Sequence, residues 1–210
     1  MKTLDEIWQI YLDRDLNPEE LKDLVWHVEN DENPQGAISL TADMGLKNLG
    51  SVLAKHLNHP KPFIRELTIG CLLGRLELPE YAEKGLEMSK NEKKNVRNIA
   101  IFNLGEIMDK VLFSLAQKIA KYLLNVFQDL GEYKSLRDSA YFSILRSMKM
   151  PWEEMPPVSE EIQDSDIDQS IVYEFCKKYQ VTLPEKKGSH LPREENTMNS
   201  PHSSPKCNTC

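Results

Sequence analysis

Apolar residues recur at three- and four-residue spacing along almost the whole chain, and no long stretch alternates apolar with polar, so the pattern predicts helices and no sheet. Leu4, Ile7, Trp8 and Tyr11 share one face of a first helix. A second opens on Asn17 as N-cap, Pro18 at the first helical position and Glu20 at the third, and continues through Leu21, Leu24, Val25 and Val28. Asn33-Pro34-Gln35-Gly36 reads as a break, after which Leu46, Leu49, Leu53 and Leu57 set up a third helix ended by His59-Pro60-Lys61-Pro62. Helices over 63–76, from Pro79 to about Met88, over 95–110 and over about 112–127 follow, so helices arrive in pairs.

Leu130-Gly131 reads as a glycine-type helix stop, and Ser135 with Asp138 resembles a capping box for a helix running to Met148. Pro151, Pro156 and Pro157 then end the paired helices. Between Glu153 and Asp168 stand seven acidic side chains and no basic one, which predicts an exposed acidic linker over about 151–165. A last helix carries Ile167, Ile171, Val172, Phe175 and Tyr179 on one face and is expected to fold back as a cap.

Three segments align without gaps, starting at Ile64-Arg65, Val96-Arg97 and Leu136-Arg137, 32 and 40 residues apart. Each reads apolar-Arg, a small residue three positions after the Arg (Thr68, Ala100, Ala140), and an aliphatic four later (Leu72, Leu104, Ile144). The period is that of a helical-hairpin repeat, and the small residue on the apolar stripe lets a partner helix come close.

These segments resemble the HEAT-repeat family, in particular the short bacterial form also found in phycobilisome-lyase-type proteins. Val96-Arg97 through Ala100 to Leu104-Gly105 matches best, and His59-Pro60-Lys61-Pro62-Phe63-Ile64-Arg65 resembles the family's Asp-Pro-x-Pro-x-Val-Arg turn. The family's turn Asp is replaced by His59, Asn91 and Gly131, and Leu145 stands where the third copy would have Gly. The resemblance covers about 49–148. It implies an all-α fold: a short right-handed α-α superhelix of stacked hairpins, with the helices on either side as caps. The expected organisation is a helical domain over 1–182 and a disordered tail over 183–210, where Leu191 and Met198 are the only larger apolar residues after Leu183.

The formal net charge is −7, and the tail holds four basic against three acidic side chains, so the remainder carries −8. Such a field repels phosphate backbones and anionic membranes, which makes nucleic acid an unfavourable partner and points to protein. The only basic cluster, Lys84, Lys90, Lys93, Lys94 and Arg97, is diluted by Glu83, Glu87 and Glu92. The first residues do not form a secretory signal, and no apolar run approaches the roughly 20 residues of a membrane span, so a cytoplasmic protein is expected.

No set of residues offers catalysis, and neither a cofactor nor a metal is expected. His56 and His59 lack companion ligands at a recognisable spacing, and no adjacent His-Glu pair supports the di-iron chemistry of HEAT-type hydroxylases. Cys207-Asn208-Thr209-Cys210 is formally a CxxC, but no helix follows it to lower a thiol pKa, and with His190 and His202 it would make only a loose zinc site. Arg65, Arg97 and Arg137 are read as structural, their heads reaching turn carbonyls or acids. Trp8, Trp26 and Trp152 are read as core or half-buried anchors.

The resulting expectation is a non-catalytic protein-binding module: an adaptor, assembly factor or inhibitory partner. The alternatives are a helical-repeat nucleic-acid-binding or glycosylase-like protein, or an enzyme like the HEAT-type chromophore lyases. In HEAT-like proteins the second helices form the concave surface, so Glu66, Asn98 and Asp138, one position after each Arg, are the expected solvent-facing contact row. Phe102 and Phe142 would be its anchors if exposed, and are otherwise buried between repeats.

Overall fold

The computed structural model of the chain describes residues 1–31, 33–157 and 161–184, and among these no strand forms and every regular element is helical. Helix α1 (Leu4–Asp13) is opened by Thr3 and Glu6, whose side chains each bond the other's backbone N–H. Helix α2 (Pro18–Asn30) has the start its sequence predicts: Asn17 Oδ1 accepts from the N–H groups of Glu19 and Glu20, and Glu20 returns the bond to Asn17 N. Glu20 is buried, and its carboxylate is gripped at both oxygens by the Arg14 guanidinium at 2.8 and 2.9 Å.

The Arg14 bonds, helped by the Asn17 N–H, pull the Glu20 carboxyl down to about 2. A carboxylate depressed on folding contributes stability that is complete above its unfolded value near 4.5 and is lost as pH falls from there to about 2. Glu20→Gln is therefore expected to lower the melting temperature at pH 7 and to flatten its dependence on pH between about 5 and about 2. An unchanged acid limb of the melting curve would show that Glu20 is solvated.

The break expected at Asn33-Pro34-Gln35-Gly36 is instead the entry to helix α3 (Gln35–Asp43). Ala37, Ile38, Leu40, Thr41 and Ala42 are all buried there, so the segment is covered on most sides and shows no amphipathic stripe. The expected single helix through Leu46 to Leu57 is a chain of short turns: a 3₁₀ turn at Lys47–Leu49, α4 (Gly50–Leu53) and a second 3₁₀ turn at Ala54–Asn58. Spacing by three and four is met by such turns as well as by one helix.

The paired helices follow. Helix α5 (Pro62–Gly70) runs into a π-helical turn at Cys71–Arg75, where Leu76 N bonds Cys71 O at 2.9 Å. Helices α6 (Ala82–Asn91), α7 (Lys94–Ile107), α8 (Phe113–Gln128) and α9 (Lys134–Ser147) complete the series. Helix α7 packs against α5, α6 and α9, and α8 packs against α9, so α5, α7 and α9 lie side by side with α6 and α8 behind. The core between them is continuous, from Ile7 in α1 to Tyr179 in the last helix.

Two expected signals resolve differently. Helix α8 stops at Asp129, whose carboxylate accepts from Gly131 N at 3.0 Å, and Gly131 does not have the positive φ of a glycine stop. Ser135 lies inside the first turn of α9, not ahead of it, its hydroxyl buried without a partner among the described residues, while Asp138 pairs with Lys134 at 2.9 Å.

The linker is not simply solvated. Ile162 is buried, Lys134 Nζ bonds its carbonyl, and Tyr141 Oη donates to Asp166 O and accepts from Asp168 N at 2.7 Å. Those bonds lead the chain into α10 (Gln169–Tyr179), N-capped by Asp168, which lays Val172, Phe175 and Tyr179 against α8 and α9. No described helix is long and apolar enough to cross a membrane. Of the expected tail, the residues from 185 on, with Cys207 and Cys210, lie outside the described residues.

Candidate functional site

The three aligned segments place equivalent residues side by side across α5, α7 and α9, and one departure in the series shapes the surface. Where α7 presents Phe102 and Glu106, and α9 presents Phe142 and Arg146, α5 and its π turn present Gly70 and Gly74. The absent side chains leave an open groove of about 360 Å³. Its apolar walls are Phe63, Leu67, Ile99 and Phe102, with Cys71 at its floor. The glycines also let α7 come close: a Cβ on Gly70 would lie 3.0 Å from the Ile99 methyl, and one on Gly74 would lie 2.1 Å from Asn103 Oδ1.

The far wall is a cation held between rings. The Arg146 guanidinium lies 4.9 Å from the centroids of both Phe102 and Trp152, and it pairs with Glu106. It is largely buried, and among the described residues its Nε has no hydrogen-bond partner. At the near end Arg75 pairs with Asp43 at 2.6 Å. Both cations facing the groove are thus already neutralised by carboxylates.

Glu66 differs: among the described residues its carboxylate has no hydrogen-bond or ion-pair partner, and burial pushes its pKa above the ordinary 4.5. A carboxylate raised on folding opposes stability at neutral pH, and that opposition is relieved as pH falls through the folded value. Glu66→Gln is therefore expected to raise the melting temperature at pH 7, with the gap closing by about pH 4. A lower melting temperature at pH 7 would mean that the charge is held by a partner.

The expected contact row is not uniform. Asn98 is half-buried and accepts from Ser139 Oγ at 2.6 Å, and Asp138 is tied to Lys134. Of this row, Glu66 alone lines the groove, and among the described residues its carboxylate is unengaged. Phe142 is buried against Phe102, ring centroids 5.9 Å apart, while Phe102 remains half-buried and lines the groove. Trp8, Trp26 and Trp152, expected as core or half-buried anchors, lie outside the core at 38, 43 and 52% exposure, and Trp152 serves as the outer cover of Arg146. Gly70, Gly74 and Arg146 were not singled out by sequence reasoning, although the register of the three copies already sets the two glycines opposite bulky residues.

The arginines that open the aligned segments are bound within the fold. Arg65 bonds both Glu92 oxygens and the His59 carbonyl, Arg97 bonds Glu132 and Ser89 O, and Arg137 bonds Phe127 O. The basic cluster is similarly engaged: Lys84 pairs with Glu87, and Lys90 and Lys94 lie over the Tyr122 and Tyr133 rings. His56 Nε2 contacts Val28 O at 2.6 Å, and His59 Nδ1 accepts from Lys61 N. Among the described residues no three His, Cys, Asp or Glu side chains stand together as metal ligands would. Cys71 is buried, which pushes its thiol up to about 11 and withholds the thiolate. No protein-family model matches this chain, and neither does any curated protein or solved structure.

Proposed function

We propose that this chain is a non-catalytic, cytoplasmic protein-binding module built as a short right-handed α-α superhelix of HEAT-like hairpins. In this reading α5, α7 and α9 form the inner, partner-facing layer, and the protein acts as an adaptor, assembly factor or inhibitory partner. The observation that carries the reading is the groove over Gly70 and Gly74: an open, mostly apolar recess spanning two adjacent second helices, with an unengaged carboxylate inside. Its size matches the seating of a few side chains, as at the centre of a protein interface, where a small number of anchors supply most of the affinity. The π turn that forms one edge is a device often found where a helix serves a ligand. The net charge of −7, the internal pairing of Arg65, Arg97 and Lys84, and the seating of Lys90 and Lys94 over tyrosine rings favour a protein over a polyanion.

The test is site-specific photo-cross-linking in the native cell, with the photoreactive residue at Leu67 in the groove or at the exposed Lys118 on α8. One protein cross-linked from position 67 and not from position 118 is expected. A salt-dependent shift of a DNA duplex or RNA hairpin by the purified chain, blocked by Glu66→Lys or enhanced by it, would move the reading to nucleic acid.

A further inference from the structure

The charges around the groove leave one of them unbalanced. Arg75 is matched by Asp43 and Arg146 by Glu106, so the recess as a whole carries the single negative charge of Glu66. That carboxylate sits among Phe63, Leu67 and Ile99, where water is partly excluded and a cation gains more from pairing than it would on an open surface. Phe63 is 56% exposed at the mouth and offers a ring face to the same cation. Beyond it, the hollow over Gly70 and Gly74 is bounded by Ile99 and Phe102, and among the described residues no charged group there lacks a partner.

We infer that this groove receives a linear segment of a partner protein in which a lysine or arginine stands close to a bulky apolar residue. The basic head pairs with Glu66 while its stem lies over Leu67, and the apolar side chain fills the hollow above the two glycines. A neutral apolar segment would leave Glu66 buried without a partner, and an acidic one would add a second negative charge beside it; both are penalised. A basic segment removes the cost that Glu66 imposes on the free protein, so its binding gains from relief of that cost as well as from the new contact. The inference rests on the protein-binding reading above and adds to it the chemistry of what is bound.

The full chain is panned against phage-displayed random twelve-residue peptides, and the enriched peptides are synthesised and titrated calorimetrically. Titrations use the unaltered protein, Glu66→Gln, Phe63→Ala and, as a control on the exposed Lys84–Glu87 pair, Glu87→Gln. Both groove variants alter side chains that are not part of the core, and circular dichroism checks that each keeps its fold. The enriched set is expected to share Lys or Arg within a few residues of a large apolar residue. Glu66→Gln should raise Kd about tenfold, Phe63→Ala several-fold, and Glu87→Gln not at all. Peptides without a basic residue whose affinity drops in Phe63→Ala but not in Glu66→Gln would overturn the inference and leave the protein-binding reading standing. No enrichment, or peptides indifferent to both groove variants, would overturn both. A dimer in sedimentation that Phe63→Ala dissolves would make a second copy of the chain the occupant and overturn the inference.

Discussion

Replacing Gly105 by alanine is expected to cost about 3 kcal/mol or more of folding stability, or to keep the protein from accumulating in soluble form. A Cβ at this position would lie 2.2 Å from the carbonyl oxygen of Ser143 and 2.9 Å from its carbonyl carbon and Cα. The obstacle is the backbone of α9, not the end of a side chain that could swing aside, so α7 and α9 would have to separate along the contact that joins them. Separation would also loosen the packing of Leu104, Ile107 and Ile144, all fully buried. Urea denaturation checks the value, with Gly131→Ala as control, since a Cβ there meets only the Asp129 carboxylate at 3.3 Å and should change stability by less than about 1 kcal/mol. A loss below about 1 kcal/mol for Gly105→Ala would show that the two helices part without consequence.

The second large effect is expected at Arg97. Its guanidinium pairs with Glu132, both side chains about 15% exposed, and its Nε donates to Ser89 O at 3.0 Å, a carbonyl that Tyr122 Oη also bonds at 2.6 Å. Arg97→Met keeps the stem that covers the interhelical surface and removes the charge, leaving the Glu132 carboxylate largely buried without its cation. The expected loss is about 3 kcal/mol. Adding Glu132→Gln should recover part of it, because the second change removes the stranded charge, and a double-mutant cycle measures the coupling. Losses that simply add would show that the pair is solvated and that the two residues act separately.

These two positions differ in how visible they are in the sequence. Gly105 falls at the end of the best-matched aligned segment, where the resemblance expects a glycine, although the equivalent positions of the other two segments are Leu73 and Leu145. Glu132 carries no signal, because the acids that answer Arg65 and Arg97 lie 27 and 35 residues along the chain, and a turn signal does not say which distant cation will meet it. Helix α2 was legible because Asn17, Pro18 and Glu20 are local groups acting on their own first turn. Helix α3 was not, because Ala37 to Ala42 is covered on most sides and periodicity vanishes when both faces are buried. The Ser135–Asp138 pair matched a capping pattern, yet Tyr133 precedes the helix and Asp138 is drawn to Lys134 four residues back, so a nearer cation outcompeted the backbone. Of the expected row, Glu66 lies in the groove, while Asn98 is engaged by Ser139 from the next aligned segment and Asp138 by Lys134 on its own helix. The groove itself arises from two missing side chains, and hydrophobic pattern records what is present.

The forward reach of the arginines has a consequence for how such a chain can grow or be rebuilt. Arg65 on α5 is satisfied by Glu92 ahead of α7, and Arg97 on α7 by Glu132 ahead of α9, but Arg137 on α9 has no acidic partner among the described residues and bonds only backward, to Phe127 O. The series therefore has a direction and a terminus. A self-sufficient building block runs from an arginine to the acid that answers it, and so straddles two helical hairpins. Duplicating residues 97–132 as a unit carries both halves of the bond, so each new joint is closed as it is made. Duplicating α6 and α7 together instead carries Glu92 and Arg97, each of which must find its partner in a neighbouring copy, so that joint closes only if the copies stack in register.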